Sequence, residues 1–195
     1  MPTSTTTTPT DTLTWLRAVD HPALLAPSTH AALLAWAETD ASVAASVLVA
    51  QIDPELADTA AMTQAYDLPL AASVNCVLVA GRREGDERVA AALVRATTRA
   101  DVNTTVKRLL DVRKASFLPM DRATAESGME YGGITPIGLP AGYRLLLDSR
   151  VVADDPDAGG RVIIGSGLRR SKVALPGTLL GRAPGVEVVE GLALA

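Results

Sequence analysis

The stretch "MEYGGITPIGLP", residues 129–140, holds three glycines and two prolines, more than a simple connection needs. Gly132 and Gly133 can adopt positive φ and let a ligand approach the backbone, while Pro136 fixes the chain direction behind them. Consecutive amides in such a turn can point into one concavity and hold a carbonyl oxygen or an oxyanion. A tight turn between two elements gives the same pattern, so the residues alone leave both interpretations open.

A second candidate site is the cationic stretch "GSGLRRSK", residues 165–172. In an extended chain, side chains alternate between faces, which puts Arg170 and Lys172 on one face and Arg169 and Ser171 on the other. Two cations on one face suit contact with phosphate. A solvated strand edge protected by basic side chains gives the same pattern, and the residues by themselves favour that interpretation.

Other chemistries have little support. Ser166 lacks the G-x-S-x-G spacing, and the histidines His21 and His30 lie far upstream, so a serine hydrolase is not expected. One cysteine and two separated histidines offer no zinc ligand set. Cys76 lies in an apolar run and is predicted to be a core residue. Asp148 ends another apolar run, where a carboxylate either forms a turn or orients a site.

The composition is that of a globular protein. The chain has 195 residues with 48% hydrophobic and 21% charged residues, which suits one domain. The net charge of −4 argues against broad attraction to DNA or RNA, but it does not exclude a local basic face. A single cysteine and the absence of a signal-peptide pattern predict a cytoplasmic protein. No apolar run approaches the length of a membrane span, so we expect a soluble protein.

The N-terminal part is predicted to be helical. Residues 1–10 are rich in threonine and proline and are predicted to form a disordered leader. Residues 11–52 are interpreted as a helical extension that leads into a first strand at residues 42–52. Its second helix is expected to begin with Ser28 as N-cap. The inward face of that helix is predicted to contain Leu33, Leu34 and Trp36.

The following elements mix strands and helices. Asp53 and Pro54 give a helix start signal, and two β-rich runs then form a hairpin with Gly85 and Asp86 at its tip. Residues 101–114 have helical spacing, and a short strand and a helix capped by Asp121 lead into the glycine loop. Three strands and a last helical turn complete the chain. Because the alternation is irregular, we predict an α+β fold with a large mixed sheet.

Five stretches in order resemble the YbaK and prolyl-tRNA-synthetase-associated editing domain family: "SVNCVLVAG", "RATTRADVNTTVKRLLDVRKASF", "MEYGGITPIG", "LLLDS" and "VIIGSGLRRSKVAL". The similarity covers residues 53–180, and residues 53–195 are interpreted as the editing domain. The resemblance implies a mixed, partly barrel-like β-sheet flanked by helices. It also implies hydrolysis of amino acids wrongly esterified to tRNA. The family's G-x-x-x-P loop is matched by residues 132–136, and the resemblance implies that its glycine amide positions or polarises the ester carbonyl.

The resemblance and the pattern of basic residues together assign roles to twelve residues. The catalytic group is Gly132, Gly133 and Asn75. Substrate contacts are Ile134, Thr135, Pro136, Asp148, Ser166 and Gly167, with Gly165 as the alternative match to the family serine. Contacts to tRNA phosphate are Arg170, Lys172 and Lys114. The expected partner is the acceptor end of an aminoacyl-tRNA, bound by a monomer without metal, organic cofactor, DNA or membrane.

One position departs from the family. Members usually carry a functional lysine where this chain has Asn75, and asparagine cannot supply a positive charge. Lys107, Lys114 and Arg83 are candidates to supply a cation from elsewhere. Two functions therefore remain open: a free-standing deacylase that removes small amino acids, and a noncatalytic module that binds tRNA or a nucleotide. A structural protein with an incidental likeness has the least support.

Overall fold

The structure is a computed structural model that describes residues 13–153 and 155–195. The predicted leader, residues 1–10, lies outside the described residues. The strands are β1 (Leu16–Arg17), β2 (Leu48–Gln51), β3 (Val74–Arg83), β4 (Asp86–Arg95), β5 (Arg99–Ala100), β6 (Ala115–Phe117), β7 (Tyr143–Asp148), β8 (Val162–Gly165), β9 (Ser171–Leu175), β10 (Val186–Val189) and β11 (Ala193–Leu194). The helices are α1 (Pro27–Thr39), α2 (Ser42–Ser46), α3 (Thr59–Ala65), α4 (Lys107–Leu110), α5 (Met120–Ser127), α6 (Ser149–Val152) and α7 (Gly177–Leu180).

Two main sheets form the framework. One has the order β1-β2-β9-β8 and is antiparallel throughout, and the other has the order β10-β7-β4-β3-β6. In the second sheet, β7 runs parallel to both β4 and β10. The sheets approach each other where Ser73 bridges Ile163, just before β3. The predicted mixed α+β arrangement is confirmed, and the described sheets do not close into a barrel.

The N-terminal extension differs from the prediction in three details. α1 begins at Pro27, and Ser28 does not cap it. Leu33 and Trp36 face the core as predicted, but Leu34 is 44% exposed. Residues 42–46, predicted as part of a strand, form α2, because Asp40 accepts hydrogen bonds from the amide and hydroxyl of Ser42 and starts a helical turn.

The first helix-start signal is correct but the helix is interrupted. The Asp53 carboxylate accepts a hydrogen bond from the amide of Glu55 and caps a single 3₁₀ turn. A second aspartate, Asp58, then caps α3 through the amide of Ala60. The interruption leaves the carbonyl of Ala57 outside both helices, where it reaches the site described below.

The long β3–β4 hairpin carries the middle of the second sheet. Its tip is Glu84 and Gly85, with φ of 54° and 95°, one residue earlier than predicted. The predicted helix at residues 101–114 begins as a π-helical turn, where the Asp101 carboxylate accepts hydrogen bonds from two backbone amides, and continues as α4. No helix in the described ranges is long and apolar enough to cross a membrane.

Candidate functional site

A cleft of about 500 Å³ opens where the two sheets approach each other. The start of β3, the turn before α3, the glycine loop and the ends of β8 and β9 surround it. Apolar and polar side chains share its walls. The residues that line it are Ala57, Asp58, Thr59, Met62, Ser73, Val74, Asn75, Cys76, Val77, Met120, Tyr131, Gly132, Ile134, Ile163, Ile164, Gly165, Arg169 and Lys172.

Lys172 is a buried cation in this cleft. It lies on β9, between β2 and β8, and is only 7% exposed, so the interpretation as a solvated strand edge was wrong. Its Nζ donates hydrogen bonds to the carbonyls of Ala57, at 2.9 Å, and Gly132, at 3.2 Å. Burial, together with a smaller effect of the positive charge of Arg169, lowers the pKa of Lys172 to about 8, while Asp58 opposes the shift.

The two glycines of the loop have different roles. Gly132 has φ +79°, its carbonyl accepts from Lys172, and its amide has no hydrogen-bond partner in the described part of the chain. The amide of Gly133 instead donates to the carbonyl of Glu130, at 3.0 Å, and its own carbonyl accepts from Gly167, at 2.7 Å. Of the two amides predicted to bind an oxyanion, that of Gly132 is therefore the one available to a ligand.

Asn75 lies at the start of β3 and lines the cleft. Its side-chain oxygen accepts a hydrogen bond from the hydroxyl of Thr59, at 3.1 Å. Lys172 reaches the cleft from a different strand, so the cleft contains a cation although Asn75 is neutral. The other candidate cations do not reach it: Arg83 forms an ion pair with Asp111, and neither Arg83, Lys107 nor Lys114 lines the cleft.

A family model described as "Aminoacyl-tRNA editing domain" matches residues 53–182, two thirds of the chain. The chain belongs to the aminoacyl-tRNA editing domain family. The resemblance inferred from the five stretches is thereby confirmed, with nearly the same boundaries. A search of curated proteins finds no match.

Solved structures share the fold of this editing domain. The hypothetical protein APE2540 is 15% identical and superposes with a TM-score of 0.68, covering 84% of this chain and 99% of its own. A protein described as a "putative trans-editing enzyme for prolyl tRNA synthetase" is 18% identical, with a TM-score of 0.67 over 88% of this chain and 99% of its own. At these identities the likeness establishes the fold, and the chemistry rests on the site.

Several predicted site residues of the editing domain do not line the cleft. Buried Ser166 places its hydroxyl within hydrogen-bond distance of the Ser171 hydroxyl, at 2.8 Å, and thereby shapes the turn before β9. Asp148 caps α6; burial opposes its ionisation, but hydrogen bonds from Arg150 and the amide of Ala193 lower the pKa of Asp148. The remaining residues outside the lining are Gly133, Thr135, Pro136, Gly167, Arg170 and Lys114.

Arg170 and Lys172, predicted to share a face, are separated in the structure. Arg170 is exposed in the turn before β9, and its guanidinium donates to the carbonyl of Ala23, at 2.9 Å. The alternation argument failed because the strand begins only at Ser171. Arg169, assigned to the opposite face, lines the cleft together with Lys172.

The sequence analysis missed other lining residues. The guanidinium of Arg169 lies 5.7 Å from the centre of the Tyr131 ring, at the mouth of the cleft. The Ser73 hydroxyl is buried in the lining and has no hydrogen-bond partner in the ranges that the structure describes. Tyr131 and Arg169 each lie within a stretch that the sequence analysis singled out, but neither was assigned a place in the site.

Cys76 lines the cleft without being activated. Burial raises the pKa of the Cys76 thiol to about 12, so the thiol stays protonated near neutral pH. Its side chain packs against two hydrophobic clusters, in agreement with the predicted core role. Among residues 13–153 and 155–195, no three His, Cys, Asp or Glu side chains are grouped to hold a metal ion.

Proposed function

We propose that this protein is a free-standing deacylase that hydrolyses the ester bond of tRNA mischarged with a small amino acid. Family membership supports the substrate class. The observation that carries the proposal is the position of Lys172, whose ammonium group lies 3.2 Å from the carbonyl of Gly132, in the cleft that Asn75 also lines. This arrangement supplies a cation and a free backbone amide beside one ligand site.

In the proposed reaction, water attacks the ester carbonyl of the aminoacyl group. The amide of Gly132 and the ammonium group of Lys172 stabilise the negative charge that develops on the carbonyl oxygen. The bond from the carbonyl carbon to the ribose oxygen then breaks, and that oxygen takes up a proton that the attacking water releases. We propose that the neighbouring hydroxyl of the terminal ribose orients the water. The mechanism uses no metal or organic cofactor.

We propose that the amino acid is selected by size. Ala57, Met62 and Ile163 give the inner part of the cleft an apolar surface, and the turn that holds Ala57 is fixed against Lys172. A bulky side chain would have to displace these groups, whereas a small one would fit. Hydrolysis would then act as a second sieve after the synthetase.

The proposal is tested with purified protein and a panel of mischarged tRNAs, chiefly those that carry alanine, serine and threonine. We expect release of a small amino acid well above the rate of spontaneous hydrolysis, with little release of bulky residues. If the protein binds the tRNAs but releases no amino acid from any of them, it is the noncatalytic module. If it neither binds nor hydrolyses them, both functions are excluded.

Replacing Asn75 with alanine is expected to reduce the deacylation rate. The change removes one polar group from the cleft and releases the Thr59 hydroxyl. Loss of a neutral hydrogen bond predicts a decrease of about 5-fold to 10-fold. Asn103→Ala, at an exposed position outside the cleft, is the matched control. An unchanged rate for Asn75→Ala would remove Asn75 from the proposed site.

Replacing Gly132 with alanine is expected to lower the deacylation rate by about 10-fold to 100-fold, because small displacements of reacting groups have effects of this size. The new Cβ would lie 2.8 Å from the Arg169 guanidinium, at a positive φ that alanine rarely adopts. Gly85→Ala is the control for backbone strain, since Gly85 also has positive φ but open space around it. Equal rates for the two variants would contradict a role of the loop at Gly132.

A further inference from the structure

Three exposed apolar side chains lie around the opening of the cleft or close to it along the chain. Tyr131 is 60% exposed and Met120 is 48% exposed, and both line the cleft. Phe117, three residues before Met120, is 67% exposed on β6. Single exposed apolar residues are ordinary, but a group near one opening points to a binding surface.

The depression that Phe117 lines adjoins the cleft along the chain. Pro119 lines the depression, and the next residue, Met120, lines the cleft. Val79, which lies opposite Phe117 in the β3–β6 pair, is fully buried in the cluster that contains Val106. That face of the sheet is therefore covered, and the route from Phe117 to the cleft passes Met120.

The surroundings of Phe117 are positively charged although the chain as a whole is acidic. Arg82, Arg113 and Lys114 line a depression of about 430 Å³ together with Phe117. In the described part of the chain, Arg82 forms an ion pair with Glu87, whereas Arg113 and Lys114 form none. Two cations thus stay available beside an exposed aromatic ring, the combination with which proteins bind single-stranded nucleic acid.

We propose that Phe117, Arg113 and Lys114 bind the unpaired 3′ strand of the tRNA whose terminal ester enters the cleft. A base stacks on the Phe117 ring, the cations contact the adjoining phosphates, and the RNA strand passes Met120 to the cleft. This surface rests on the proposed function for the identity of the RNA. Binding at Phe117 nevertheless does not require hydrolysis, so the two proposals fail separately.

A second copy of this chain fits the same surface less well. In a two-fold symmetric dimer the same patch occurs on both subunits, so Arg113 and Lys114 would approach their own copies. Like charges brought together at an interface oppose association. A polyanion meets the opposite condition, and we therefore assign the surface to RNA.

The test measures binding of an uncharged tRNA transcript and of a fluorescent single-stranded oligoribonucleotide that ends in CCA, by fluorescence polarisation. Phe117→Ala is expected to weaken both by about tenfold, the effect of losing one base–aromatic stack. Phe117→Trp is expected to retain affinity, and Phe117→Leu to lose it, because leucine keeps apolar area without a ring. Lys114→Met is expected to make the binding affinity less dependent on salt concentration, by the amount that corresponds to about one phosphate contact.

Leu34→Ala is the control, because Leu34 is 44% exposed on α1 and does not line either depression. Unchanged RNA affinity in Phe117→Ala and Phe117→Leu would overturn the proposed binding surface, even if the wild type hydrolyses mischarged tRNA. Weaker binding in both variants would support it, even if the wild type hydrolyses nothing. A dimer that Phe117→Ala dissociates, with RNA affinity unchanged, would also overturn it.

Discussion

Replacing Lys172 with methionine is expected to lower the rate of amino-acid release by about 10²-fold to 10³-fold, the usual effect of removing one group that stabilises an oxyanion. Methionine fills a similar volume but removes the charge and the hydrogen bond to the carbonyl of Gly132. The rate is measured under single-turnover conditions, so that binding and chemistry are separated. Lys107→Met, the same change outside the cleft, is the matched control.

The pH dependence provides an independent check on Lys172. The pKa of about 8 means that the lysine is mostly charged at neutral pH and mostly neutral two pH units higher. If the charged form is active, the enzymatic rate falls about tenfold from about pH 7 to about pH 9, after subtraction of spontaneous ester hydrolysis. A rate that keeps rising through this range would contradict the role of a cation.

Stability separates this role from a structural one. Because burial lowers the pKa of Lys172 in the folded state, the unfolded state binds more protons between about pH 8 and the usual lysine pKa of 10.5. In that window the free energy of unfolding of the wild type therefore rises with pH, by about 3 kcal/mol in total from this group. Lys172→Met should lack that rise and should be no less stable than the wild type at neutral pH.

The glycine loop was predictable from local features, whereas Asn75 was singled out by its match to a position in the editing domain family. Residues 132–136 follow a recognisable backbone pattern, and Asn75 lies in a strand whose apolar character is evident. The hairpin and the mixed sheet were predictable for the same reason. Local propensities also explain the errors at helix ends, where caps such as Asp58 compete with Asp53.

The buried position of Lys172 in the cleft was not predictable from spacing. A cation on an isolated strand resembles a solvent-facing edge residue, and only the pairing of β9 with both β2 and β8 buries it. Its partners, the carbonyls of Ala57 and Gly132, are 115 and 40 residues away along the chain. Such contacts depend on how the two sheets meet, which no local pattern encodes.

The position of the glycine loop at residues 132–136 also depends on Gly165, which ends β8 and packs against the loop. A Cβ on Gly165, at the end of β8, would lie 2.2 Å from the carbonyl oxygen of Gly133 and 2.4 Å from that of Ile134. Both are backbone atoms that cannot rotate away. Since carbon and oxygen normally approach to about 3.3 Å, the loop would have to move by about 1 Å.

Gly165→Ala is therefore expected to reduce the free energy of unfolding by about 3 kcal/mol, at the upper end of the usual effect of overpacking. The displaced loop should also lose the hydrogen bond between the amide of Gly167 and the carbonyl of Gly133. A shift of about 1 Å at Gly132 predicts a decrease in deacylation of about 100-fold in the molecules that remain folded.

Urea unfolding and single-turnover deacylation measure the two effects of Gly165→Ala. Gly142→Ala is the matched control, because a Cβ there meets no atom within 4 Å and should leave both quantities nearly unchanged. Loss of stability without loss of activity would mean that the loop keeps its position while β8 yields. That result would show that the packing of β8 against the loop does not fix the amide of Gly132. It would weaken the case for a preorganised oxyanion site.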